Sequence, residues 1–304
     1  MRTTTRGKTR QGSIRTKIAA LVGVAALTLG LAACGGDDAE GDGSGLPPKD
    51  DTLVIGLANE QPYAYMDENG EATGFSTEVA TAVLNKMGYE NLEFQVVDFG
   101  DLISSLNAGQ FDVIAAGMYL TPDRIKQVAF SDPDYCVPES LAVAAGNPHG
   151  IVDFSSIADN PELTVAVASG TVEVDYAEVA GIPDEQLKSF SGIDQMYSAL
   201  TAGEVDAVTG TEATVNGHVA ASGGAIEAVE PFYPKAAEGF EDPVLPCGGY
   251  AFRLDEPEFR DAFNDELKAL QEDGTTKQII TQYEGFTDEN VDTANEMTVD
   301  DFKG

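Results

Sequence analysis

One helix-turn-strand phrase occurs twice in this 304-residue chain, and it limits the possible folds more than any other feature. In SSLNAGQFDVIAAG, Leu106, Gly109 and Asp112 stand at the same spacing as Leu200, Gly203 and Asp206 in SALTAGEVDAVTG. Each copy reads as the end of a helix stopped by glycine and followed by an apolar run of buried-strand length. Recurrence of such a unit predicts two similarly built α/β lobes, the competing reading being chance repetition of a common helix stop.

The flanking segments follow the same order. Thr52–Ala58 is a β-branched run ended by Asn-Glu-Gln-Pro, hence a buried strand entering a loop. Ser76 is placed to cap a helix with Val79, Ala82, Val83 and Met87 on one face, stopped by Gly88. Leu92–Val97 is then extended, Leu102–Leu106 helical and Phe111–Ala116 a second buried strand. Beyond residue 160 the order returns: strand Leu163–Ala168, helix Val172–Ala180, helix Met196–Leu200, strand Val205–Val208. Pro257 opens a long amphipathic helix carrying Phe259, Phe263, Leu267 and Leu270, ended by Gly274. A shorter helix through Ile279, Ile280 and Tyr283 follows, and an acidic tail of little apolar content begins at Thr287.

Charge separates the N-terminus from the body. Residues 1–33 hold Arg2, Arg6, Lys8, Arg10, Arg15 and Lys17 with no acid, although the whole chain has 17 Lys+Arg against 52 Asp+Glu and a net charge of −35. A basic start followed by the uncharged run Ile18–Ala33 is the order of a secretory signal, and the run is short for a membrane span. Leu31-Ala32-Ala33-Cys34 resembles a bacterial lipobox, which implies that Cys34 is lipidated and becomes the first mature residue. Residues 34–50, Gly-rich and acidic, are expected to be a flexible tether. The body is more negative than the whole and would repel phosphate backbones and anionic headgroups, so nucleic-acid binding is excluded and the membrane is expected only through the lipid anchor.

Export places Cys136 and Cys247 in a compartment that permits disulfides, and they are expected to pair. No CxxC spacing occurs and His149 and His218 are the only histidines. A His/Cys metal site or a His-based catalytic pair therefore has little to build on, and no metal, cofactor or catalytic residue is expected.

From Thr52 to Phe286 the chain resembles the amino-acid-type (family 3) solute-binding proteins of ABC importers. The likeness is carried by the Asn59–Tyr65 loop, GFSTEVA, LNAGQFDVIAAGMYLTPDR, AFSDPDY, the VASGT turn and AFRLDEPEFRDAFNDELKAL. It implies an α/β, two-lobed periplasmic-binding-protein-like fold of type II, with two crossing hinge strands and the ligand cleft between the lobes. Residues 51–136 and 249–304 would form lobe 1, residues 139–246 lobe 2, and 137–138 with 247–248 the hinge. It further implies a monomer that hands its ligand to ABC permease subunits.

Within that family the closest likeness is to ectoine/hydroxyectoine-binding proteins. It rests on Glu60-x-x-Tyr63, Phe99 before Gly100, AGMYLTPDR with Tyr119 and Arg124, and the cysteines at 136 and 247. The resemblance implies a zwitterionic ligand held by Glu60, Tyr63, Phe99, Gly117, Tyr119, Arg124 and Thr171, with the disulfide at the hinge.

These residue types suit that chemistry. Thr121-Pro122 can open a short helix with Arg124 in its first turn, where an anion would relieve the opposed macrodipole and a guanidinium can grip a carboxylate with two bonds. Gly117 leaves neighbouring N–H donors accessible. Ser169-Gly170-Thr171 presents N–H groups and a hydroxyl to the same carboxylate from the other lobe. Aromatic faces at Tyr63, Phe99 and Tyr119 attract a flat, delocalised cation such as ectoine's amidinium, and Glu60 can accept its N–H groups. α-Amino-acid binders commonly place an Asp after the strand that here is Val205–Val208; this chain has Thr211 there, with Glu212 as a possible substitute. Two alternatives stay open: another zwitterion (an amino acid, proline or a betaine), and a dehydratase-like enzyme on the same fold.

Overall fold

The computed structural model describes residues 45–235 and 245–303. The signal segment, Cys34 and most of the tether lie outside the described residues.

Two mixed sheets carry the lobes. In the first, strands run in the spatial order Leu92–Val96, Leu53–Leu57, Val113–Tyr119, Cys247–Phe252 and Ala129–Phe130, with Tyr135–Cys136 also paired to Cys247–Phe252. In the second the order is Leu187–Phe190, Val165–Ala168, Ala207–Thr211, Glu139–Ala144 and Ile226–Ala228. The first three strands of each are parallel and the fourth is antiparallel. In both, that fourth strand is the one arriving across the hinge from the other lobe.

The repeated phrase has the same structural job in each lobe. Gly109 and Gly203 both stop their helices with φ 71°. Asp112 then pairs its backbone with Val54 and accepts the Val54 N–H on its carboxylate at 2.9 Å. Asp206 does so with Thr164 at 2.8 Å. Each Asp ties the start of the central strand to the first strand of its sheet, which accounts for its fixed distance from the glycine.

Lobe 1's core forms where helices Phe75–Lys86 and Pro257–Glu272 pack Val79, Val83, Leu84, Phe259, Phe263 and Leu267 behind the sheet, all of them fully buried. Burying each such side chain contributes about 1.5–3 kcal/mol before the entropy of ordering it. The helix expected to be capped by Ser76 begins earlier, at Phe75 behind Gly74. Gly74 has φ 102°, and a Cβ there would lie 2.4 Å from the Tyr63 carbonyl, so glycine and not a hydroxyl cap sets this start.

Three further expectations change, and the tail, given no secondary structure above, forms a helix. The strand predicted to end at Val208 runs on to Thr211, because Glu139–Ala144 supplies partners as far as Glu139↔Thr211. The acidic tail folds: Asp288–Asn295 is a helix whose capping box and buried Val291 and Ala294 dock it beside the hinge. The end of the tether touches the body, since Leu46 packs on the core and the Tyr89 hydroxyl donates to Pro47 O at 2.9 Å, while residues 48–50 stay exposed. Finally, Cys247 and Gly248 belong to the first sheet, paired with Cys136 and Tyr135, so the return crossing precedes Cys247, where Val137 N–H meets Pro246 O.

Cys136 and Cys247 form a disulfide with Cα atoms 4.0 Å apart. It joins the outgoing and returning chains at the edge of the first sheet, next to the crossings. Among the described residues no helix is long and apolar enough to cross a membrane.

Candidate ligand-binding site

Glu60, Tyr63, Phe99, Gly117, Tyr119, Arg124 and Thr171 all line one cavity between the two sheets. Lobe 1 contributes loops that follow its strands; lobe 2 contributes the turn before helix Val172–Val179, the end of strand Ala207–Thr211 and Thr214. The lobes are closed on one another, leaving a cavity of about 30 Å³, room for one or two waters.

Arg124 is the strongest link across the cleft. Thr121 caps helix Pro122–Ile125 and accepts the Arg124 N–H, which fixes the base of the side chain. The guanidinium, on a residue only 8 % exposed, donates from Nη1 to Tyr119 O and from Nη2 to Gly170 O of the opposite lobe, both at 2.9 Å. Its centre lies 5.3 Å from the Phe99 ring centroid, within cation–π range. Burial lowers its pKa, yet a guanidinium stays charged.

Tyr63 and Glu60 make the second link. The Tyr63 hydroxyl donates to Thr211 Oγ1 at 2.7 Å, and Thr214 donates to Glu60 Oε1 at 2.7 Å. Burial pushes the Glu60 carboxyl up to about 7, opposed by the Thr214 hydrogen bond and reinforced by Glu173. Gly117, with φ 63°, has its N–H 3.3 Å from Ser76 Oγ, and a Cβ there would lie 2.3 Å from the Tyr63 ring. Its own amide is therefore engaged, and its contribution to the cleft is the room it leaves for Tyr63.

Two of the three aromatics also belong to the core. Tyr63 is 2 % exposed, packed on Phe75, Tyr135 and Phe286, and Tyr119 is 4 % exposed. Phe99 alone is partly exposed, on the rim of lobe 1. Thr171 precedes helix Val172–Val179 and donates its hydroxyl to Ala168 O at 3.0 Å.

The sequence reading missed Glu173, Thr214 and Glu139. Glu173 lines the cavity, is 8 % exposed and has an oxygen with no hydrogen-bond partner among the described residues. Burial raises its carboxyl above the usual range, opposed by the charge of Arg124. In the sequence it is an ordinary acid in a first helical turn. Glu212, considered as a counter-ion, lies outside this cavity on a separate surface hollow with Tyr233 and Glu289, and Glu230 adds to the burial that raises its carboxyl.

A two-lobed α/β fold of type II with a polar, aromatic-lined interlobe cleft defines a class of ligand-capturing proteins. The chain belongs to the bacterial extracellular solute-binding proteins, family 3, which it matches over residues 53–286. It is 30% identical over 247 residues to the probable amino-acid ABC transporter periplasmic-binding protein y4tE of Sinorhizobium fredii, covering 79% of this chain and 78% of that one. Among solved structures it resembles EhuB in complex with hydroxyectoine, with a TM-score of 0.74 and 28% identity, covering 83% of this chain and 94% of that chain. It also resembles an ancestral arginine-binding protein bound to arginine, at TM-score 0.67 and 28% identity, covering 77% and 98%. The protein is accordingly an extracytoplasmic solute-binding component of an amino-acid-type ABC importer.

Proposed function

We propose that this protein captures ectoine or hydroxyectoine outside the cytoplasm, while anchored through a lipidated Cys34, and delivers it to the permease subunits of its importer. The observation that carries the reading is the convergence of Arg124, an aromatic set and two carboxyl groups on one interlobe cavity. The ligand carboxylate would take the Arg124 donors now bound to carbonyls, a charged acceptor making the stronger bond. The flat amidinium would lie against Phe99 and the Tyr63 and Tyr119 edges, with Glu60 and Glu173 accepting its N–H groups. The likeness to EhuB with hydroxyectoine supports this choice of ligand. In this closed arrangement the cavity is far smaller than such a ligand, so entry requires the lobes to part, as hinge closure around ligands does generally.

A second reading, an α-amino acid, is favoured by Glu173. The absence of an acid at Thr211 counts against an ammonium, but Glu173 supplies a lobe-2 carboxyl with a free oxygen. The relatives named as amino-acid or arginine binders agree with it. Those relatives are binding proteins by name, and an enzymatic reading has no comparable support.

Calorimetric titration with ectoine, hydroxyectoine, arginine, glutamine, proline and glycine betaine decides between the two. The proposal expects an ectoine to bind tightest. Tighter binding of arginine or glutamine would replace it with the amino-acid reading.

A further inference from the structure

Glu139 is buried to 0 % exposure beside the cleft, and neither carboxyl oxygen has a hydrogen-bond partner among the described residues. Its backbone is fixed by reciprocal bonds with Phe232, N to O at 3.0 Å and O from N at 2.9 Å. It stands directly opposite Thr211 in the antiparallel register, so both side chains project from the same face of the sheet. Thr211 Oγ1 is the atom that receives the Tyr63 hydroxyl from lobe 1. Glu139 thus sits immediately behind the contact that closes the lobes.

Among the described residues, the groups around it supply no positive charge. Glu60 faces it from the loop after the first strand, Glu173 and Tyr176 from helix Val172–Val179, Tyr63 from the first-lobe loop and Tyr119 from the end of its strand. Arg124, the cation of the cleft, is committed to Tyr119 O and Gly170 O. An ionised carboxylate here would have neither donor nor counter-ion, a state that costs several kcal/mol. Burial and the two neighbouring acids act together to raise its carboxyl well above the usual range.

Building on the ligand reading above, we propose that Glu139 is a neutral acid in this closed arrangement and becomes the counter-charge to a cationic ligand group seated at Tyr63 and Tyr119, so that capture releases its proton to solvent. Glu139 does not line the cavity. It acts across the Tyr63–Thr211 contact, through the field it sets, and it tunes the site toward ligands bearing a positive group. The sign follows from linkage: a ligand that expels a proton binds more tightly as pH rises, by up to tenfold per unit for one whole proton.

Two measurements test this, one of them independent of any ligand. Infrared difference spectra of ligand-free wild type against Glu139→Gln at neutral pH should contain the carbonyl band of a protonated, unbonded carboxylic acid. A carboxylate band in its place overturns the proposal. Glu139→Met serves the same subtraction if the Gln variant folds poorly. Titration with ectoine in buffers of different ionisation enthalpy should show wild type releasing a large fraction of a proton more than Glu139→Gln, with a flatter pH profile of affinity in the variant. Equal release and equal pH profiles would assign the proton to Glu60 or Glu173 and overturn the role of Glu139. If ectoine does not bind, the ligand reading fails, the infrared result still stands, and arginine is the titrant for the second measurement.

Discussion

Closing the lobes requires two glycine backbones to touch. Gly100 lies in the turn Phe99–Asp101 of lobe 1, and Gly170, with φ 80°, lies in the turn before helix Val172–Val179 of lobe 2. A Cβ on Gly100 would come within 3.0 Å of Ser169 O and 3.4 Å of its carbonyl carbon, while a Cβ on Gly170 would come within 2.6 Å of Gly100 Cα. These are backbone atoms, which cannot rotate aside as a side chain can. In Gly100→Ala the added methyl meets them only when the lobes are closed. Overpacking of that kind costs about 1–3 kcal/mol, and a penalty confined to the closed form weakens ligand binding by about 5- to 150-fold. Thermal stability should be nearly unchanged, because no lobe core is touched. Gly170→Ala adds about 1–2 kcal/mol of left-handed strain, present whether the lobes are open or closed. It should therefore lower both affinity and melting temperature. Calorimetry with ectoine and melting curves of the two variants read these effects, with small-angle scattering to follow closure. Affinity of Gly100→Ala within twofold of wild type would refute the reasoning, since the glycines would then not meet in the ligand-bound form.

Arg124→Lys should weaken ligand binding more than tenfold in a titration, because one ammonium cannot reproduce a guanidinium that spans two acceptors in two lobes. Phe99→Ala should lose about 1–2 kcal/mol of binding with little change in melting. Tyr119→Ala, by contrast, should destabilise the fold by about 3–5 kcal/mol in denaturant, as expected for a core aromatic. For pH, Glu60 and Asp134 both rise to about 7, chiefly through burial. A raised carboxyl stabilises the fold fully below its ordinary range and loses that contribution as pH climbs to about 7, so melting temperature should fall between about pH 4.5 and 7. Glu60→Gln and Asp134→Asn should each flatten that slope, and an unchanged slope in both would contradict the assignment.

What the sequence revealed was mostly local or repeated. The glycine stops at 109 and 203 and the aspartates three residues later act within their own lobes, so one copy explained the other. Thr121-Pro122 was legible as a helix start for the same reason. The tail helix was not, because Val291 and Ala294 alone are buried on it and leave no apolar stripe to read. The cavity's acids were hidden differently. Glu173 and Glu139 look in sequence like an ordinary first-turn acid and an acid at the start of a strand, and nothing in their spacing signals that both are buried. Thr214 reaches Glu60 across 154 positions of sequence, a contact that no spacing encodes. Tyr63, Phe99 and Tyr119 all line the interlobe cavity, but local sequence could not show that Tyr63 and Tyr119 also serve the core under it.

The most direct test of the central claim is a crystal structure of the protein grown with ectoine. The account predicts density for one ligand between the lobes, its carboxylate on the Arg124 guanidinium, its ring against Phe99 and its ring nitrogens toward Glu60 or Glu173. Density for a co-purified amino acid that ectoine fails to displace, with its ammonium on Glu173, would contradict it, as would a cleft in which Arg124 keeps both carbonyl contacts and holds no carboxylate.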